Sequence, residues 1–177
     1  DRLIGVGGLD VLRGAGGDDA LVVADLSFRL VHGGTGTDTL NIAGNGLNLN
    51  FTATGSQLVT SIEAIELAGF GAKTTLDRLS IVNLSEASNS IAVEGSTNER
   101  FILADEGWSL TSDNGTTHTF ANGAATVVVE STLRRDITGS ALADTLLGGD
   151  GDDNFTGGGG NDIITGGGGE DTVNHGR

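Results

Sequence analysis

Residues 148–173 read GGDGDDNFTGGGGNDIITGGGGEDTV. Glycine and acidic residues dominate, with single apolar residues set between them. Glycine loses more backbone freedom on ordering than any other residue, and clustered carboxylates repel one another. A fold built from this stretch therefore needs stabilisation from outside the chain. Aligned on a period of nine, it resolves into GGDGDDNFT, GGGGNDIIT and GGGGEDTVN, beginning at Gly148, Gly157 and Gly166. A weaker copy, GSALADTLL, begins at Gly139. Asp recurs at Asp144, Asp153, Asp162 and Asp171, each followed two positions later by Leu146, Phe155, Ile164 or Val173. Ile137 extends the apolar row by one step. A fixed short period of this kind marks a stacked-repeat architecture.

The same rhythm opens the chain. Asp1, Asp10 and Asp19 are nine apart, followed by Leu3, Leu12 and Leu21, in GVGGLDVLR and GAGGDDALV. GGTGTDTLN follows from Gly33, one residue out of phase, with Asp38 and Leu40 in the expected places. Each nonapeptide reads as a six-residue Gly-rich turn and a three-residue strand, x-U-x. The single apolar residue U points inward and its neighbours outward, as strand alternation requires. Glycine supplies the turn conformations and the close backbone approach. One small apolar side chain in nine buries too little to offset the ordering of nine backbones. Stacking the turns also sets Asp above Asp, so the coil calls for a cation between them.

Composition agrees. The 177 residues carry 24 acids against nine Lys and Arg, a net charge of −15. Such a chain repels nucleic acid and anionic membrane surfaces and attracts cations. Thirty-one Gly without a single Pro is unlike a disordered low-complexity segment. The absence of Cys excludes a disulfide framework, a thiolate metal site and a cysteine nucleophile. No apolar run approaches the roughly 18 residues of a membrane span, and there is no signal-peptide pattern. The first residue is Asp, which suggests a processed piece or an excised segment.

The repeat resembles the G-G-x-G-x-D-x-U-x nonapeptide of the RTX, or haemolysin-type calcium-binding, family, over about residues 1–41 and 136–174. That resemblance implies a parallel β-roll with two nonapeptides per turn, so ligands come from repeats eighteen residues apart. It implies that Asp153 faces Asp171, with the carbonyls of Gly149, Gly151, Gly166 and Gly168, and that Asp144 faces Asp162, with those of Ser140, Leu142, Gly157 and Gly159. At the N-terminal end Asp1 would pair with Asp19, and Asp19 with Asp38 through a one-residue bulge, with Gly14, Gly16, Gly33 and Thr35 in the matching turn positions. Asp10 belongs to the same row but finds Phe28 eighteen residues on. Mixed carboxylate and carbonyl ligation suits Ca²⁺, and several ions are implied; Mg²⁺ would resist such dehydration.

Residues 42–135 lose the period but keep β character in LNLNF, SIEAIEL, SIAVEG, RFIL, GWSL, HTF and ATVVVES. Turn formers separate these segments at intervals of roughly ten residues, which argues for an all-β solenoid or sandwich. The solenoid-like form is the expectation. TTLDRLSIVNLS is the one helical candidate, capped by Thr74 or Thr75, with Leu76, Leu79 and Val82 on one face. The phrasing of this segment is similar to spacers of very large bacterial surface proteins with RTX repeats. The expected fold is thus all-β, with β-roll (β-solenoid) blocks at 1–41 and 136–177 flanking a β-rich spacer at 42–135.

No catalytic constellation emerges. His32, His118 and His175 lie far apart in sequence, and neither H-E-x-x-H nor G-x-S-x-G occurs. Glu63 and Glu66, three apart, would point to opposite faces of a strand and read as exposed charges. LIGVGGLDVLRGAGG has Asp10 where a dinucleotide loop needs its third Gly. DGDDNF has Phe155 where an EF-hand needs Gly and Asn161 where it needs Glu. Trp108 reads as a core anchor. Only Thr35 and Thr37 have the residue type of an ice-binding row.

The resulting expectation is a calcium-folded, non-enzymatic structural module of a large exported bacterial cell-surface protein, adhesin-like, secreted through a type I channel as the resemblance implies. The alternative is a calcium-dependent module that binds a carbohydrate or receptor. The repeats begin in mid-unit at Asp1 and stop at Arg177 without a polar cap. Continuation as further covalent repeats, end-to-end self-association into a filament, and an arbitrary boundary of the sequence are the readings of that pattern.

Overall fold

The computed structural model describes residues 1–52, 58–104 and 107–174, so His175 lies outside the described residues. Among them are nineteen strands and one helix. One long ladder runs through β1 (Arg2–Gly5), β3 (Ala20–Val23), β5 (Thr39–Ile42), β8 (Ala64–Leu67), β10 (Ser90–Glu94) and β14 (Ala125–Glu130), every pair parallel. It ends in the antiparallel β13 (Thr117–Asn122) and β12 (Ser109–Asp113). A second parallel ladder runs through β6 (Asn48–Asn50), β9 (Lys73–Leu76), β11 (Arg100–Leu103), β15 (Arg134–Thr138), β17 (Asn154–Thr156) and β19 (Thr172–Asn174). Two short parallel ladders complete the coil walls. One joins β2 (Val11–Gly16), β4 (Leu30–Thr35) and β7 (Val59–Thr60); the other joins β16 (Thr145–Leu147) and β18 (Ile163–Thr165).

Register gives the coil length directly. Arg2 pairs with Ala20, eighteen residues on, and Asn154 with Thr172, again eighteen. Between these ends the coil lengthens: Thr39 pairs with Ala64, Ala64 with Ala92 and Ser90 with Thr126. The additional residues carry the helix and the β12–β13 hairpin, while the parallel strands stay in line. The middle is therefore a widened solenoid with one antiparallel excursion.

Two local expectations are corrected. The extra residue between Asp19 and Asp38 is not a strand bulge. Gly5 pairs with Val23 at eighteen, but Val11 pairs with Leu30 at nineteen, so the residue is inserted in the turn 24–29. Phe28 of that turn is buried, which gives the longer turn an apolar anchor. The helix is α1 (Arg78–Leu84), and Asp77 caps it, accepting from the Ser80 N–H at 2.6 Å while its own N–H donates to Ser80 Oγ. Thr74 and Thr75 lie in β9, and the buried face of α1 is Ser80, Ile81 and Leu84, with Leu79 exposed.

One apolar cluster runs from Leu12 to Phe155 through the inside of the coils. Leu21, Leu40, Ile65, Val127 and Phe155 are fully buried in it. Trp108 is buried as well. The inward row of the C-terminal repeats thins along the chain: Ile137, Leu146 and Phe155 are buried, Ile164 is partly so, and Val173 is 41% exposed.

Candidate metal centre

The strand register places the repeat aspartates directly above one another, because each precedes a paired strand by one residue. The contact between them is specific. The main-chain N–H of Asp19 donates to Asp38 Oδ1 at 2.9 Å, that of Asp144 to Asp162 Oδ1 at 3.1 Å, and that of Asp153 to Asp171 Oδ1 at 3.0 Å. The main-chain nitrogen of Asp1 stands 2.7 Å from Asp19 Oδ1. All four pairings expected from the repeat are brought together.

The second carboxylate oxygen of each repeat aspartate after Asp1 points at the glycine five residues earlier. A Cβ on Gly5, Gly139 or Gly157 would stand 2.9, 2.8 or 2.6 Å from Oδ2 of Asp10, Asp144 or Asp162, and Gly14, Gly33, Gly148 and Gly166 repeat the relation. At Gly14 and Gly148 a second oxygen converges on the same point, the carbonyl of Gly33 or Gly166 from the next coil. The Gly157 carbonyl does the same over Gly139. The missing Cβ is thus what allows a carboxylate and a carbonyl to share one small space. The carbonyls of Ser140 and Gly149 accept the N–H groups of Gly159 and Gly168, while Gly159 and Gly168 themselves lie over Ala141 and Asp150. Gly16 and Thr35 pair across β2 and β4. Leu142 and Gly151 underlie Gly160 and Gly169, which take positive φ.

Burial gives these carboxylates their electrostatics. Asp19, Asp38 and Asp153 are buried, Asp162 is half-buried and Asp171 is exposed. Desolvation pushes Asp38 above its ordinary value, with the charges of Asp19 and Asp18 adding to the shift. Burial likewise raises Asp153, against the N–H bonds from Gly149 and Arg135. Oδ2 of Asp19 and of Asp38 has no hydrogen-bond partner although both are buried. A buried carboxylate oxygen without a donor is costly unless a cation or a proton meets it.

Other residues stand outside these pairs. Asp10 is paired with the backbone of Arg29, whose N–H donates to its carbonyl at 2.7 Å, so no second carboxylate stands across from it. Glu63 and Glu66 are half-buried rather than free surface charges. Oε2 of Glu63 accepts the Asp38 N–H, and its signal was visible in Glu63-Ala64-Ile65, which repeats Asp38-Thr39-Leu40 with Glu for Asp. Glu66 lines a groove of about 510 Å³ with Glu94, Glu99 and Glu130. Partial burial and the neighbouring Glu130 and Glu66 raise Glu94. His118 has close polar neighbours. Its Nδ1 accepts from Nη1 of the buried Arg135 at 2.7 Å and its Nε2 lies 3.1 Å from Asp113, an arrangement that fits the neutral ring. Burial and the Arg135 charge lower its pKa accordingly. Among the described residues no three His, Asp or Glu side chains cluster as a metal site. The candidate sites are carboxylate pairs with main-chain oxygen beside them.

A parallel β-roll with stacked, partly orphaned carboxylates over bare glycines defines a class of protein whose turns are built for hard cations. Residues 1–24 and 138–173 match the RTX calcium-binding nonapeptide repeat in four copies, and the chain is a carrier of those repeats. It is a calcium-binding structural module by that match, of a type commonly found in secreted proteins. No curated protein and no solved structure matches the chain. No helix among the described residues is long and apolar enough to cross a membrane. The donor set fits calcium: all oxygen, carboxylate with carbonyl, and buried oxygens of Asp19 and Asp38 that no N–H satisfies.

Proposed function

We propose that this chain is a calcium-dependent structural module of a large exported bacterial cell-surface protein, adhesin-like in role, that folds once it meets calcium outside the cell. The observation that carries this reading is the pair of buried, unpartnered oxygens on Asp19 and Asp38, set one coil apart. Asp1, Asp19 and Asp38 would hold cations in the N-terminal block, with Gly14, Gly16, Gly33 and Thr35 in the adjoining turns. Asp144 and Asp162, with Ser140, Leu142, Gly157 and Gly159, would hold a cation in the C-terminal block, and Asp153 and Asp171, with Gly149, Gly151, Gly166 and Gly168, another. Calcium supplies the positive charge that lets these carboxylates stack. Asp10 precedes β2, in a different ladder from Asp1, Asp19 and Asp38, and adds its charge there.

At low calcium the net charge of −15 keeps the chain extended and suited to passage through a type I channel. Outside, calcium affinity becomes folding free energy. The coils at the two ends have open strand ladders, β1 on one side and β19 on the other. We propose that folded modules also stack end to end, strand edge against strand edge. Sedimentation velocity with and without calcium tests the assembly: growth in size on adding calcium supports it, and a strictly monomeric folded product excludes it. Limited proteolysis tests the module itself, with protection expected in calcium and rapid cleavage in EDTA.

A further inference from the structure

Two stacks of aspartates continue, where they meet the middle segment, into a residue that the nonapeptide does not supply. On the N-terminal side the next rung is Glu63, whose Oε2 accepts the Asp38 N–H at 2.9 Å as Asp38 Oδ1 accepts that of Asp19. The adjoining strands pair in register, Thr39 with Ala64 and Leu40 with Ile65. Ser61 follows the pairing of His32 with Thr60 and so stands over Gly33. Its φ of 55° turns the chain as a glycine would. The Ser61 carbonyl and Asp38 Oδ2 converge above Gly33, the latter 2.5 Å from an ideal Cβ there. This is the cradle seen at Gly14, Gly139 and Gly148, built from a turn outside the repeat. Asp38 is 0% exposed and its Oδ2 has no partner.

On the C-terminal side the rung nine residues before Asp144 is Arg135. Asp136 pairs with Asn154, and the Arg135 N–H donates to Asp153 Oδ1 at 2.6 Å, as the Asp153 N–H does to Asp171. The side chain is 1% exposed and folds into its own turn. Nη2 donates to the Glu130 carbonyl at 2.7 Å, Nη1 to His118, and Nε has no partner. Glu130 lies five residues before Arg135, the spacing of each cradle glycine to its aspartate. The guanidinium also touches the turn above: a Cβ on Gly149 would be 2.8 Å from Nη2. Beside it, Arg134 Nη2 reaches Asp152 at 3.9 Å, so Arg134-Arg135 stacks on Asp152-Asp153.

We infer that the two junctions are closed by cations of different origin: Asp38, the Ser61 carbonyl and Glu63 hold a divalent cation of the calcium type outside the repeats, whereas Arg135 supplies a fixed charge where a metal would otherwise bridge to Asp153. The inference rests on the calcium reading proposed above. A guanidinium stays protonated at any working pH, and its charge repels a second cation from the same rung. The first rung of the C-terminal roll thereby needs no metal of its own, and the last N-terminal rung needs one.

The test counts bound calcium, by metal analysis of the 177-residue chain after gel filtration in calcium, for wild type, Glu63→Gln, Glu63→Asp and Arg135→Asp. Glu63→Gln should hold one ion fewer than wild type, Glu63→Asp the same number, and Arg135→Asp one more. If wild type binds calcium but Glu63→Gln loses none, or a folded Arg135→Asp gains none, the inference is overturned. If wild type binds no calcium, the calcium reading itself falls and takes this inference with it. Should Arg135→Asp fail to fold, Arg135→Met decides: its calcium count should equal wild type, while amide exchange at 134–138 in calcium should accelerate at least tenfold. Unchanged exchange there overturns the Arg135 assignment.

Discussion

Asp19 and Asp38 are nineteen residues apart in sequence and one coil apart in space, joined by a hydrogen bond of 2.9 Å from the main chain of one to the carboxylate of the other. The remaining oxygen of each is buried without a partner. The pair is therefore a liability without metal and an asset with it. Asp38→Asn separates the two states, because Asn keeps the Oδ1 acceptor and removes the charge. In EDTA the variant should be more stable than wild type by about 1–3 kcal/mol. In calcium its apparent affinity should fall at least about tenfold. β content in EDTA and the midpoint of calcium-induced folding of both proteins check the reversal of sign, and a variant with less β content than wild type in EDTA would contradict it.

Acidity should act in opposite directions with and without metal. Burial holds Asp38 and Asp153 above the ordinary carboxylate value in the metal-free fold. The folded chain then binds more protons than the unfolded chain between the ordinary and the raised values. Metal-free stability is greater below that window and is lost as pH rises through it. In EDTA, acidification from neutrality toward about pH 4 should increase β content. In calcium, protons compete with the ion for the same oxygens, and the folded fraction should decline over that range. Far-ultraviolet circular dichroism against pH reads both; parallel curves would contradict the assignment.

The cradle glycines should differ from other turn glycines. A Cβ on Gly148 would collide with the Gly166 carbonyl and Asp153 Oδ2 and lie 2.9 Å from the Phe155 ring. Gly148→Ala should cost about 1–3 kcal/mol in calcium. At Gly159 the nearest atoms, in Ala141, are 3.5 Å away and φ is not positive. Gly159→Ala should stay within about 0.5 kcal/mol of wild type. Denaturant midpoints of the two variants side by side decide the point.

Much of this was legible in the sequence because the nonapeptide couples a strand residue to a turn residue at one spacing. Asp144 over Asp162 and Asp153 over Asp171 were implied by the resemblance of the C-terminal block to the RTX nonapeptide, with its two repeats per turn. The Asp19–Asp38 offset was also visible, but its location was not. An insertion in the turn 24–29 leaves the strand pattern untouched and cannot be told from a bulge. Glu63 escaped because its turn is shorter: Ser61 and Glu63 are two positions apart, against five for Gly33 and Asp38. Arg135 escaped because a cation at an aspartate position reads as the end of a repeat and not as part of one. The helix cap moved from Thr74 or Thr75 to Asp77 because pairing of β9 with β6 and β11 holds those threonines extended, overriding local helix preference.

The most direct test of the central claim is circular dichroism of the full chain in EDTA and in millimolar calcium, with magnesium at the same concentration as control. A largely disordered spectrum is expected in EDTA and in magnesium, and a β spectrum in calcium. Equal β content under all three conditions would contradict it.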